Sequence, residues 1–301
     1  MATLAHHVVG AAPAEPVPEP LPAYHHFTVD VEEYFQVSAF EKFVPRSEWA
    51  SMPSRVVAQT HELLEMLARH GASGTFFVLG WIARRHPELV LEIARQGHEV
   101  ASHGWDHARV TTLTPDAFRV SVRRSKDILE SITGARVLGF RAPSFSIVPG
   151  LEWALDILVQ EGYAYDSSLF PVRRRGYGYP SGGRDPYWLD CPSGTLIQMP
   201  PVTLRRAGVN LPAAGGGYLR LLPPALMHAA LAKSEERNAP ATIYIHPWEI
   251  DAAQPRIDVP WPVAMRHYGG LRRTAQRLEN LLSTYTFLPV SHTLARMIGQ
   301  R

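Results

Sequence analysis

Short apolar strands alternate with amphipathic helices along most of this chain, and this alternation restricts the fold more than any other feature. The predicted strands cover residues 25–32, 74–79, 98–103, 137–141, 163–166, 241–245 and 287–290. Predicted helices cover residues 55–70, 82–96, 115–132, 151–160, 224–237 and 271–283. Strict alternation of this kind specifies a parallel sheet with helices on the outside. A chain of 301 residues with about seven such strands is expected to form one main α/β domain.

Two segments interrupt the alternation. Residues 1–23 interleave five prolines with alanine and glutamate, which predicts a disordered, Pro-rich arm because such a stretch cannot bury enough apolar surface to offset its ordering entropy. Residues 170–222 crowd proline, glycine, tyrosine and arginine together, and we interpret them as an inserted loop region with a small antiparallel element. The remaining domain is expected to span residues 24–301.

Composition excludes several classes of protein. The 30 Lys and Arg residues nearly balance the 28 Asp and Glu residues, so no nucleic-acid partner is expected. Cys191 is the only cysteine, which excludes an intrachain disulfide and a cysteine-built metal site. Because the chain as written shows neither a leader pattern nor a long apolar run, we expect a cytoplasmic protein without stable membrane insertion. Action in the periplasm and the oligomeric state stay open.

The polar residues suited to chemistry lie at the ends of five predicted strands. In parallel α/β barrels the carboxyl ends of the strands meet at one face, where active sites lie. Each residue alone has an ordinary explanation as a turn, cap or hydrogen-bonded residue, but that explanation does not predict all five positions together. The candidates are Asp30, Glu32, His103, His107, Arg141, Asp166 and His246.

The residue types favour a divalent metal site. The spacing of His103 and His107 lets both imidazoles converge on one ion if the backbone turns helical after the strand. Asp30 and Glu32 are two apart in a strand and share a face, so one can bind the metal while the other acts as a base. Two histidines and one carboxylate form the three-ligand set of a catalytic site with an open water position.

Five motifs in this order resemble the NodB-type polysaccharide deacetylases of carbohydrate esterase family 4. They are Thr28-Val29-Asp30-Val31-Glu32, Ser102-His103-Gly104-Trp105-Asp106-His107, Arg141-Ala142-Pro143-Ser144-Phe145, Tyr165-Asp166-Ser167-Ser168 and Ile245-His246-Pro247. Within that family the stretches beginning at Val29, Phe76, Arg141 and His246 are most similar to deacetylases of exosortase-linked exopolysaccharide loci.

The resemblance implies a distorted (β/α)7 barrel of the NodB type and a role for each site residue. Asp30 would be the general base and His246 the general acid, with Arg141 orienting Asp30 and Asp166 tuning His246. The metal ligands would be Glu32, His103 and His107. The first motif departs from the usual adjacent Asp-Asp pair, because Val31 separates the base from the ligand.

The implied activity is hydrolysis of a carbon–nitrogen bond other than a peptide bond. We expect metal-dependent de-N-acetylation of an N-acetylated polysaccharide or oligosaccharide, an exopolysaccharide or its precursor, with release of acetate. Zn²⁺ is the expected ion, with Co²⁺, Ni²⁺ and Mn²⁺ as alternatives. Ser144 and Phe145 are assigned to substrate binding through the backbone, and Trp105 and Trp248 through stacking on sugars, although core packing explains each tryptophan equally well.

Two alternative functions remain open. One is hydrolysis of a small amide or cyclic imide by the same metal site, which a closed pocket would favour. The other is a catalytically silent polysaccharide-binding protein, which the presence of a base, an acid and three candidate ligands argues against.

Overall fold

A nine-stranded sheet, parallel except for one edge strand, forms the centre of the described part of the protein. The computed structural model describes residues 23–174 and 176–300. All but the last residue of the predicted Pro-rich arm lies outside this part. The sheet and the helices around it confirm the expected α/β class with a parallel sheet.

The seven predicted strands begin within two residues of their predicted positions, and four further strands lie between residues 187 and 212. In chain order the strands are β1 (His25–Val31), β2 (Thr75–Val78), β3 (Glu99–Ser102), β4 (Gly139–Phe140), β5 (Tyr165–Asp166), β6 (Tyr187–Cys191), β7 (Gly194–Gln198), β8 (Thr203–Arg206), β9 (Val209–Pro212), β10 (Thr242–Ile245) and β11 (Phe287–Leu288). Their order in the sheet is β10-β1-β2-β3-β4-β5-β7-β6, with β11 also paired to β1.

The helices lie between these strands. They are α1 (Val56–Arg69), α2 (Gly80–Arg85), α3 (Pro87–Arg95), α4 (Pro115–Thr133), α5 (Trp153–Gln160), α6 (Gly217–Leu221), α7 (Pro224–Glu235), α8 (Trp261–Tyr268), α9 (Thr274–Thr284) and α10 (Val290–Gly299). Within the described ranges, no helix combines the length and the apolar character needed to cross a bilayer.

Strand β7 corrects one part of the sequence interpretation. Its residues were assigned to the inserted region, but β7 pairs in parallel with β5 and so belongs to the main sheet, while β6 folds back on it as an antiparallel hairpin. After β7 the chain reaches β10, the strand at the opposite edge of the sheet, where Pro201 forms a parallel bridge with Thr242. The N–H of Val202 donates to the carbonyl of Thr242 at 3.0 Å. Strands β8 and β9 form a separate antiparallel pair.

Four helical features also differ from the predictions. The single helix expected over residues 82–96 is divided into α2 and α3, because Pro87 cannot continue the first helix and begins the second. Helices α6, α8 and α10 were not predicted. Helix α10 packs against the amino end of the sheet, where its first N–H groups donate to Thr75 Oγ1 at 2.8 Å and to Glu99 Oε2 at 2.9 Å.

A buried histidine of β1 contacts both β10 and α10. The imidazole of His26 has no exposed surface, with Nδ1 2.9 Å from Thr242 Oγ1 and Nε2 2.7 Å from Thr293 Oγ1. Burial, with smaller contributions from nearby positive groups, lowers the pKa of His26 to about 3. The folded protein therefore keeps this ring neutral across the physiological range.

This depressed pKa makes stability depend on pH. Above about pH 6.5 the ring is neutral in both the folded and the unfolded protein. Between that pH and the pKa of the folded protein, only the unfolded chain binds the proton, so the free energy of unfolding falls as pH falls. The slope is about 1.4 kcal/mol per pH unit, or about 2 kcal/mol between pH 7 and pH 5. Denaturant unfolding of the wild type and of His26→Gln at both pH values should show the smaller loss in the variant. Equal losses would contradict the assignment.

Candidate metal centre and catalytic residues

The predicted polar residues are buried together at the carboxyl edge of the sheet. Asp30 and Glu32 lie at the end of β1, His103 directly follows β3, and Arg141 directly follows β4. Their exposed fractions are 2%, 1%, 1% and 0%, respectively. His246 directly follows β10, the neighbour of β1. Because adjacent parallel strands end at the same edge, residues far apart in sequence reach one site.

Glu32, His103 and His107 form a group that could hold a metal ion. One ligand atom from each lies within 4.8 Å of the other two, and all three residues are buried. The Nδ1 of His103 is 2.8 Å from the carbonyl oxygen of Arg141, which leaves Nε2 as the ligand atom. His107 adopts a positive φ of 56°, a conformation that few residues other than glycine take up.

The donor set fits a divalent cation. Among the described residues, Glu32 Oε2 is buried without a hydrogen bond, although His107 Nε2 lies 2.7 Å away. Burial alone would raise the pKa of Glu32, but the positive charges at His107 and His246 hold it well below the usual range. Burial lowers the pKa of His103 to about 4. A charged carboxylate and a neutral imidazole are the forms that metal binding requires.

Arg141 fixes Asp30. Its Nη1 donates to Asp30 Oδ1 and to Thr28 Oγ1, each at 2.7 Å, and its Nη2 donates to Ser167 Oγ at 2.8 Å. The guanidinium also lies over the ring of Phe77, 4.1 Å from its centroid. These contacts leave Asp30 Oδ2 as the oxygen free to face the metal ligands.

His246 approaches both carboxylates. Its Nε2 lies 3.9 Å from Asp30 Oδ2 and 3.6 Å from Glu32 Oε1, and its Nδ1 lies 2.5 Å from Glu249 Oε1. Burial lowers the pKa of His246, but the charges of Glu32, Glu249 and Asp30 outweigh it and raise the pKa to about 9. The ring is therefore protonated at neutral pH.

Glu249, and not Asp166, is the carboxylate that contacts His246. Asp166 accepts hydrogen bonds from Ser168, and burial raises the pKa of Asp166 to about 6. Glu249 is held in turn by Arg220 of α6, whose Nε donates to Glu249 Oε2 at 2.6 Å. The local sequence carried a signal for this contact, since a proline-initiated turn brings residues i and i+3 together. No local signal identified Arg220.

Both tryptophans assigned to sugar stacking are engaged within the protein. Trp248 is only 6% exposed and stacks on the imidazoles of His246 and His267, with centroids 5.1 Å and 4.2 Å away. Trp105 packs against Gly80, and the Arg124 guanidinium lies 3.5 Å from its ring centroid. Packing therefore explains both residues, and Trp248 in particular has no open face for a sugar.

Ser144 and Phe145 form a strained turn after β4. Both residues have positive φ values, 56° and 52°, and sparsely populated conformations of this kind cluster at functional sites. The N–H of Phe145 donates to the carbonyl of Ala142 at 3.0 Å. The hydroxyls of Ser144 and Ser38 lie 2.7 Å apart. Of the two backbone N–H groups considered for substrate binding, that of Phe145 is therefore already hydrogen-bonded within the protein.

Comparison with known families divides the chain into two matched segments. The model of the family described as polysaccharide deacetylase matches residues 51–156, and that of a domain of unknown function, DUF3473, matches residues 167–295. The two candidate histidine ligands and Arg141 lie in the first segment. His246 and Glu249 lie in the second.

Curated relatives agree with the first match. The chain is 33% identical to the peptidoglycan-N-acetylmuramic acid deacetylase PdaC of Bacillus subtilis over 86 residues, 29% of this chain and 18% of that protein. It is 30% identical to the peptidoglycan-N-acetylglucosamine deacetylase of Bacillus cereus over 98 residues, 32% of this chain and 36% of that protein. These matches thus span well under two thirds of either relative.

A solved structure from Mycobacterium smegmatis, assigned to the polysaccharide deacetylases, shares the fold across nearly the whole chain. The TM-score is 0.62 at 21% identity, covering 98% of this chain and 96% of the other. Over residues 51–156 the chain is therefore similar to the polysaccharide deacetylases, and its named relatives are hydrolases of carbon–nitrogen bonds.

Proposed function

We propose that this protein is a metal-dependent deacetylase that removes N-acetyl groups from a polysaccharide. The observation that carries the proposal is the convergence of a base, a metal-ligand group and an acid, since His246 Nε2 lies within 3.9 Å of Asp30 and 3.6 Å of Glu32. Metal-assisted amide hydrolysis uses these three functions on one bond. The deacetylases named above support the same reaction class.

Glu32, His103 and His107 would hold the metal ion. Zn²⁺ suits two imidazoles and one carboxylate, and Co²⁺, Ni²⁺ and Mn²⁺ are alternatives with related ligand preferences. The bound ion would supply Lewis-acid polarisation of the acetamide carbonyl and would acidify water beside it.

The protein's own residues move the protons and orient the groups. Asp30 Oδ2 accepts a proton from the attacking water, while Arg141 holds Oδ1. The backbone N–H of Ser144 donates to the oxygen that gains charge as water adds to the acetyl carbon. Protonated His246 then donates from Nε2 to the departing amine as the C–N bond breaks. The products are acetate and a free amino sugar.

The substrate class we propose is an exopolysaccharide or its precursor. Its support is the similarity of the stretches at Val29, Phe76, Arg141 and His246 to deacetylases of exopolysaccharide loci. We also propose that the sheet closes as a distorted (β/α)7 barrel. The bridge between Pro201 and Thr242 supports closure, because it links the segment after β7 to β10.

Removing any proposed ligand should abolish tight metal binding. Wild-type protein is expected to retain about one equivalent of divalent metal after dialysis, measured by elemental analysis, whereas Glu32→Ala, His103→Ala and His107→Ala should retain far less. Glu33→Gln is the matched control, because Glu33 is equally buried but its carboxylate accepts from the N–H of Arg55 instead. A wild-type protein that stays free of metal would contradict the proposal.

Loss of the base or the acid should remove catalysis without unfolding the protein. A positioned acid or base contributes roughly 10² to 10⁴-fold in rate, so Asp30→Asn and His246→Ala should each lower acetate release from N-acetylated oligosaccharides by about that factor. Metal content and the unfolding midpoint serve as controls. Near-normal turnover in either variant would rule out its role. Metal binding without acetate release from any glycan would instead favour the silent binding protein.

Substitutions of Glu249 and Asp166 should have different effects on the pKa of His246, the proposed acid. Glu249→Gln removes a charge that raises the pKa of His246, so the alkaline limb of the pH–rate profile should move to lower pH and kcat should fall by about tenfold or more. Asp166→Asn should leave that limb in place, because its carboxylate bonds to Ser168. A shift in Asp166→Asn but not in Glu249→Gln would reverse the assignment.

A further inference from the structure

We propose that Trp248 is a positioning residue for the metal site, which selects the oxygen of Glu32 that faces the ion. The inference rests on the metal site of the proposed function and adds a residue from the segment matched by DUF3473 to it. Trp248 was expected to contact sugars, but its indole N–H is directed at a proposed metal ligand instead.

The two oxygens of Glu32 have different surroundings. Oε1 accepts a hydrogen bond from Trp248 Nε1 at 3.0 Å. Oε2 faces His107 Nε2 at 2.7 Å and has no hydrogen bond among the described residues. Oε1 also lies 3.6 Å from His246 Nε2. With Oε1 engaged by the indole N–H and facing His246, Oε2 is the oxygen presented alongside the imidazoles of His103 and His107, which would make Glu32 a one-oxygen ligand.

The indole can direct Glu32 only because it is itself immobile. Two imidazoles stack on it, from His246 and from His267 of α8. His267 Nε2 lies 2.8 Å from Gln254 Oε1, and the Gln254 amide donates to the backbone carbonyl of Trp248 at 2.8 Å. His267 thus packs on the indole ring, and its partner Gln254 binds the backbone of the same tryptophan.

A hydrogen-bond partner that orients the carboxylate matters more for Glu32 than for a ligand with a shorter side chain. A glutamate side chain has three rotatable torsions, and ordering it opposes binding by the lost rotamer freedom. A hydrogen bond that orients the carboxylate before the ion arrives removes part of that penalty. Outer partners of metal ligands typically contribute 10- to 100-fold in affinity.

The test measures metal affinity directly. Apoprotein is titrated with Zn²⁺ in competition with a chromophoric chelator, and Trp248→Phe, which keeps an aromatic ring in the stack but removes the donor, should bind about 10- to 100-fold more weakly than wild type. Trp49→Phe is the matched control. Trp49 is 5% exposed, and within residues 23–174 and 176–300 its Nε1 has no hydrogen-bond partner, so its replacement should leave the affinity unchanged.

A double-mutant cycle separates positioning from general packing. Glu32→Asp withdraws the carboxylate from the indole, so adding Trp248→Phe to that variant should change the Zn²⁺ affinity by less than about twofold. Equal affinities of Trp248→Phe and wild type, equal weakening by Trp248→Phe and Trp49→Phe, or full additivity in the cycle would each overturn the inference.

A measurement on the unaltered indole covers the case in which Trp248→Phe does not fold. The ¹⁵N resonance of the Trp248 indole should shift when Zn²⁺ is added, and its N–H should lose protection from exchange in Glu32→Ala. No shift with Zn²⁺ would count against the inference. Absence of acetate release with the affinity pattern intact would reject the deacetylase function while leaving the positioning role standing.

Discussion

The buried charge of Arg141 is the constraint on which the site depends. A guanidinium without solvent contact is tolerated only when its donors are engaged, and here they reach Asp30 and Thr28 on β1 and Ser167 after β5. The backbone carbonyl of the same residue lies beside His103 Nδ1. One residue therefore holds the proposed base with its side chain and a proposed metal ligand with its backbone. Removing it would leave a buried carboxylate unpaired, which costs roughly 3 to 5 kcal/mol in other proteins.

The candidate site draws on both matched segments of the chain and on β1, which precedes them. Asp30 and Glu32 come from β1 and its end, and the proposed histidine ligands come from residues 51–156. Trp248 and Glu249 come from residues 167–295 and reach the same cluster through one short turn after β10. Arg220 ties that turn to the end of α8, donating to the carbonyls of His267 and Gly269. Neither segment alone contains the proposed base, metal ligands and acid.

Sequence patterns predicted the features that depend on neighbouring residues, such as the strands and the residues at their ends. Strand periodicity placed Asp30 and Glu32 on one face, and the ends of parallel strands brought them to His103 and His246, as the structure has them. Roles that depend on contacts made across the fold were missed. One of the two imidazoles stacked on Trp248, that of His267, lies in a helix that was not predicted. Glu249 was overlooked because the resemblance directed attention to Asp166. Strand β7 was misassigned because a hairpin, and not a helix, precedes it.

The pairing of β1 also bears on how the polypeptide is made. Strand β1 lies between β2 and β10, and β11 pairs with its first two residues. All the hydrogen-bonding partners of β1 are therefore present only after residue 288 has been synthesised. Contacts of such long sequence separation form slowly. While the nascent chain grows, one edge of an apolar strand stays unpaired, and unpaired edges of this kind are where aggregation begins. The proposed metal ligands are synthesised by residue 107, but the proposed acid His246 joins them only when β10 pairs with β1, the same late pairing that protects this edge.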